Sequence, residues 1–127
     1  MMTEYEILVE PENRCGIELK ALECGHDLSV TICGGNRHHI GAVALGCPKP
    51  KDDGLPGHAA TVSVICALGH RDDEIARKAA RYLATELERN VSVAAGVHVD
   101  EADAEDLKAL VENCDEACRR LVSSLRD

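Results

Sequence analysis

Three stretches of this chain set histidine beside glycine, arginine or aspartate, residue types that can bind anions, ligate metals or move protons. They are Gly34-Gly35-Asn36-Arg37-His38-His39-Ile40-Gly41, Leu68-Gly69-His70-Arg71 and Val97-His98-Val99-Asp100. A glycine-rich turn presents backbone amides to an anion, and Arg37, Arg71 and nearby imidazoles can donate to phosphate, so one chemistry is binding of a phosphate or flavin-like cofactor. A second is a divalent metal held by His39, His70 and His98 with help from Asp100, because neutral imidazole and carboxylate suit zinc and similar ions. No short HxH or HxxxH pair occurs, so such ligands would come from separate strands. A third is acid–base catalysis by a His98–Asp100 or His39–His70 set.

Each candidate has a plainer reading. Adjacent strand residues face opposite sides of a sheet, so only one of His38 and His39 can line a given pocket. His26 lies in a Gly-His-Asp turn, His58 ends a proline-rich loop, and Lys49 and Lys51 fit a solvated loop. Cys33 and Cys66, near strand ends, could be thiolates, but free cysteine more often packs as a small hydrophobe. Cys114 and Cys118 recur at the spacing of one helix face.

The elements that must position these residues follow from periodicity. Residues 4–9 form a short strand. Ile17, Leu19 and Ala21 alternate with polar residues, turn through Gly25-His26-Asp27, and continue as Leu28, Val30 and Ile32, which is a hairpin with one wet face. Gly34-Gly35-Asn36 reads as a second tight turn leading into a strand from His38 to Cys47. Residues 48–58 hold three of the four prolines and form a loop.

A strand over 59–68 leads into a helix over 71–89, whose Ile75, Ala76, Ala79, Ala80, Leu83 and Leu87 share one side. The acids Asp72, Asp73 and Glu74 suit its positive end, and would also compete there with a phosphate. The run 91–99 reads as an interior parallel strand, and a last helix from Asp103 carries an apolar stripe from Leu107 to Leu125. The expected fold is a single α+β domain over 1–127: an antiparallel meander, one βαβ unit and a C-terminal helix. Two helices cover one face of the mixed sheet, and the bare second face points to a homo-oligomer or a closed sheet.

The ends of strands 59–68 and 91–99 lie on one edge if a right-handed crossover makes them parallel. A strand from His38 running against them starts at that edge, so the three histidine stretches converge where ligands of open α/β sheets bind. On the strand 91–99, Ser92, Ala94, Gly96, His98 and Asp100 share a face of small and polar groups, with room for a bound molecule or a closely packed helix.

The totals narrow the classes. At 127 residues the chain suits one modest core, built without Phe or Trp and with only Tyr5 and Tyr82 as aromatics. A formal charge of −9 argues against nucleic acid and anionic membrane as partners. No signal peptide or membrane span is indicated, and seven scattered cysteines read as reduced thiols, so the expected location is the cytoplasm.

GGNRHHIGAVAL, the loop ending LPGH, the ALGHRDDEIA junction and the VSVAAGVHVD strand together resemble the prenylated-flavin chaperone family, similar to the small D subunit of gallate decarboxylase. The resemblance spans about residues 15–125. It implies an accessory protein, more carrier than enzyme, that binds prenylated FMN or FMN and passes it from a flavin prenyltransferase to a UbiD-type decarboxylase. The positions matching the family are Gly34, Gly35, His39, Ile40 and Gly41, then Gly69, His70 and Arg71, then Gly96, His98 and Asp100. The resemblance selects His39 over His38, and Arg37 joins the cofactor-binding set from the first stretch.

Overall fold

The alternation of apolar and polar residues builds a six-stranded mixed sheet, as seen in a computed structural model that describes residues 1–49, 60–67 and 72–126. The strands are β1 (Glu4–Val9), β2 (Ile17–Cys24), β3 (Asp27–Gly35), β4 (Ala42–Cys47), β5 (Thr61–Cys66) and β6 (Val91–His98), with helices α1 (Asp73–Leu87) and α2 (Ala104–Arg126). Their order across the sheet is β1-β2-β3-β6-β4-β5. The α+β class, the mixed sheet and the pair of helices agree with the sequence reading.

The turn between β2 and β3 is the expected one. Cys24 pairs with Asp27, leaving a two-residue loop in which Gly25 takes φ 62°, a conformation that favours glycine. The second turn differs. Gly34 and Gly35 belong to β3 itself, paired with Val97 and His98 of β6, and β3 and β4 are not neighbours. The near-continuous apolar run of β6 takes the central slot, parallel to β3 and antiparallel to β4. Residues 36–41 therefore cross the C-terminal end of β6, and β4 begins at Ala42 rather than His38.

β5 is antiparallel to β4, which is antiparallel to β6, so β5 and β6 run the same way with β4 between them. The start of β4 thus lies at the end where β3, β5 and β6 finish, as the convergence argument requires. Helix α1 packs on β4, β5 and β6 while α2 packs on β1, β2 and β3, so both cover one face. Leu19, Ile32, Val30, Val91 and Val93 from the sheet meet Leu83 and Leu121 from the helices in its interior.

Helix α2 starts where Asp103 and Asp106 cap each other. The Asp106 amide donates to Asp103 Oδ1 at 2.8 Å and the Asp103 amide to Asp106 Oδ2 at 3.1 Å, the reciprocal arrangement of a capping box. The Asp103 amide, with smaller contributions from Arg14 and Cys15, holds the Asp106 carboxyl below its ordinary range. Arg14 ties the β1–β2 turn to this helix start through Asp106 at 3.0 Å.

Cys114 and Cys118 are buried on α2, as their spacing indicated. Burial pushes the Cys118 thiol up from 9.0 to about 12 and raises Cys114 as well. A pKa raised by folding gives stability that is whole below the unfolded value and lost as pH rises toward the folded one. Denaturation midpoints should therefore fall as pH climbs from about 9 toward about 12. A Cys114→Ala/Cys118→Ala variant should show a shallower fall, and an equal fall in both proteins would contradict this assignment.

Among the described residues the second face carries no helix. Its β1–β2 half is charged, with Lys20 lying 3.6 Å from Glu6 and 3.8 Å from Glu18. Its β4–β5 half is apolar and exposed: Val43, Leu45 and Ile65 are 44%, 47% and 78% accessible, and Val43 pairs with both Ile65 and Ala94. No helix among the described residues is long and apolar enough to cross a membrane.

Candidate functional site

The segment 36–41 arches over the end of β6 and rests on glycine. A Cβ at Gly96 would overlap the carbonyl of His39, and its nearest side-chain neighbour would be His39 Cδ2 at 3.1 Å. The side chains of the two histidines then part. His38 Nε2 lies 3.4 Å from Glu18 Oε1 and is exposed, whereas His39 Nε2 lies 3.0 Å from Asp72 Oδ2 with its side chain only 20% accessible. A carboxylate can only accept, so Nε2 of His39 carries the hydrogen of this contact.

Asp72 is the buried member of the arrangement, at 4% accessibility. It stands at the N-cap of α1 but its side chain makes no capping bond. Oδ1 instead accepts the Val97 amide at 3.0 Å, beyond the point where β4 stops pairing with β6. The carboxylate thereby replaces a strand neighbour. Gly41 leaves space for it, because a Cβ there would overlap Oδ2. Asp72 thus fastens three pieces together: the start of α1, the end of β6 and the arch.

A second cluster lies beside it. His98 Nε2 is 2.9 Å from Asp100 Oδ1, and Arg37 Nη2 is 4.0 Å from the same oxygen. The Asn36 side chain accepts the Asp100 amide at 2.8 Å, the Asn36 amide donates to the His98 carbonyl at 2.7 Å, and Arg14 donates to the Asp100 carbonyl at 2.9 Å. Gly35 permits this closeness: its φ is 79°, and a Cβ there would overlap the His98 carbonyl. Arg37, His98 and Asp100 are all substantially exposed.

Gly34, Gly35, Arg37, His39, Gly41, His98 and Asp100 therefore gather at one end of the sheet. His70, Arg71 and Gly69 lie outside the described residues, as do His58 and Lys51. The bundle of roles differs from the sequence reading in one respect: His39 faces a buried carboxylate, while Arg37 and His98 share an exposed one. The metal reading gains no support, since His39 and His98 turn Nε2 to separate carboxylates and no group of three ligating side chains occurs among the described residues.

Sequence reasoning missed Asp72 and Arg14 as parts of this end of the sheet, and placed Asn36 there only as a turn residue. Asp72 was hidden among three consecutive acids that suit any helix start, and Asn36 among residues that suit any turn. Arg14 carried no local signal at all.

Residues 11–126 match the family profile of the prenylated flavin chaperone LpdD-like domain. The chain belongs to this family. The match agrees with the resemblance carried by the glycine, histidine and aspartate stretches, and establishes the handling of prenylated flavin as the family's theme. No curated protein matches the chain. Among solved structures, a chain from the crystal structure of a novel chaperone complex for yeast 20S proteasome assembly aligns with a TM-score of 0.60 at 14% identity. The alignment covers 98% of this chain and 95% of that one, and at this identity it shows a shared fold.

The residues at the sheet end fit a flavin phosphate in kind: Arg37 and His98 are accessible donors, beside a β3 terminus opened by Gly35. The bare face next to the arch offers aliphatic Val43, Leu45 and Ile65 alongside small Ser92 and Ala94, surfaces on which a planar ring can lie without an aromatic partner.

Proposed function

We propose that this chain binds prenylated FMN at the end of the sheet, receives it from a flavin prenyltransferase and passes it to a UbiD-type decarboxylase. The observation that carries this reading is the family match across residues 11–126. Arg37 and His98 would hold the phosphate, with Gly34 and Gly35 giving it access to the backbone and His70 and Arg71 belonging to the same set. Asp100 orients both donors in the absence of ligand. Its contacts with them are exposed, and exposed ion pairs are worth roughly 1 kcal/mol or less, so a phosphate can displace them.

His39 has a positioning role: with Asp72 and Gly41 it fixes the arch that walls the site. The aliphatic half of the bare face would carry the ring. The ring's redox chemistry belongs to the cofactor, and this chain supplies binding and orientation. The whole chain, 1–127, acts as one non-catalytic, self-associating unit in the cytoplasm.

A transfer assay tests delivery. Apo-decarboxylase of the UbiD type is mixed with prenylated FMN, either free or preloaded on this protein. The expected result is faster appearance of decarboxylase activity from the loaded protein at equal cofactor concentration. Equal or slower activation from the loaded protein would overturn the delivery step.

A further inference from the structure

On the side away from the sheet, α1 and α2 leave a groove of about 370 Å³ whose floor is Ile75, Ala79, Val111, Cys114 and Cys118. The small side chains of Ala79, Cys114 and Cys118 keep it open, where leucines would fill it. It continues past Leu107 into a neighbouring cleft of about 330 Å³ that shares Glu74, Ile75 and Val111. At its other end it reaches Tyr82 and Arg119. From Leu107 to Cys118 the α2 wall runs roughly three turns, or about 16 Å at 1.5 Å per residue. Leu107 and Val111 remain 56% and 38% accessible along it.

The rim has the opposite sign to the chain. Arg77, Lys78, Arg81 and Arg119 stand against Glu74 and Asp115, four cations to two carboxylates, on a protein of net charge −9. Lys78 is bonded to Asp115 at 2.8 Å and Arg119 to Glu116 at 3.0 Å. Arg77 and Arg81, one turn apart on α1, make no ion pair with any described residue. An elongated aliphatic floor bordered by uncommitted guanidinium groups matches one recurring mode of recognition, an amphipathic helix laid into a groove with its charges meeting the rim.

We propose that the α1/α2 groove docks an acidic amphipathic helix of a partner protein. Its leucine-type residues would enter the floor beside Val111, and its carboxylates would meet Arg77 and Arg81. A small anionic amphiphile is less well matched, because the floor extends over three turns rather than closing into a pocket. The inference does not depend on where flavin binds, since the floor and rim of the α1/α2 groove itself lie on the helices, and only the neighbouring cleft reaches Val97, His98 and Val99.

Fluorescence anisotropy with a labelled helical probe peptide of about 18 residues tests it, a length at which isolated helices can form. One probe carries leucine at i, i+3, i+4 and i+7 with glutamate on the flanks, and the other has lysine for every glutamate. The expected result is saturable binding of the acidic probe, weakened at high salt, at least tenfold tighter than the basic one. Arg77→Glu/Arg81→Glu should weaken it at least tenfold while thermal unfolding and flavin binding stay unchanged. Val111→Asp should weaken both probes. Equal affinity for the two probes, indifference to the charge reversal, or no binding of either probe would overturn the proposal. So would saturable binding of dodecyl sulfate to the groove without peptide binding, which would assign it to a small molecule.

Discussion

Replacing Gly96 with alanine is expected to destabilise the protein by about 3 kcal/mol, although the same change in most strands is mild or favourable. The backbone of Gly96 is not in the left-handed region, so alanine meets no conformational penalty of its own. The cost comes from the His39 carbonyl, which occupies the place of the new Cβ. Carbon atoms prefer neighbours about 3.5 Å or more away, so the arch must lift by more than an ångström. That movement pulls His39 from Asp72, and the loss of one contact becomes the loss of a wall. Urea or thermal unfolding checks the size of the effect, and amide hydrogen exchange at residues 36–41 checks its location. Wild-type stability in Gly96→Ala would mean that the arch does not sit on β6.

Asp72→Ala should have a comparable effect for a different reason. The carboxylate is almost fully buried, accepts the Val97 amide and bonds His39, each at 3.0 Å. Its removal leaves two polar groups short of a partner, and an unsatisfied buried group costs about 1–3 kcal/mol. A loss of about 3 kcal/mol is expected. Asp72→Asn should recover much of it, because an amide can accept from Val97 and donate to a His39 ring nitrogen after a change of tautomer. A double-mutant cycle with His39→Ala isolates the coupling. Groups in direct contact give interaction energies above about 0.5 kcal/mol, and strict additivity would remove Asp72 and His39 from the same unit.

These two positions also show what the sequence could and could not convey. The apolar stripes of α1 and α2, the hairpin through Gly25 and the buried strand β6 were all legible, because each is a local periodicity. The partner of β3 was not. Gly34 and Gly35 look like a hairpin turn when read beside Asn36, but β3 pairs with a strand more than fifty residues later in the chain. Once β6 enters the centre, 36–41 must cross its end, and the same glycines serve close backbone approach. His38 could not begin a strand for the same reason.

The gathering of the His39 and His98 stretches at one sheet end was legible, since it follows from strand direction. Their separate carboxylates were not. A buried acid and two capping-type acids are indistinguishable in the run Asp72-Asp73-Glu74, and only the missing side-chain cap and the bond to Val97 single out Asp72. Gly41 and Gly96 acquire physical reasons for being glycine from the two groups they admit, a carboxylate and a carbonyl.

The resulting picture is of a rigid sheet end in which Asp72 and His39 hold the arch, leaving Arg37 and His98 free to exchange Asp100 for a ligand. The most direct test is titration of the purified protein with FMN and with prenylated FMN, followed by calorimetry and flavin fluorescence. Saturable binding of the prenylated form is expected, with Arg37→Ala/His98→Ala weakening it at least tenfold, since two charge-assisted contacts to phosphate are each worth roughly 1.5–3 kcal/mol. Thermal unfolding of the ligand-free variant should match the wild type, as both side chains are exposed. Absence of binding by the wild type, or undiminished binding by the double variant, would contradict the account.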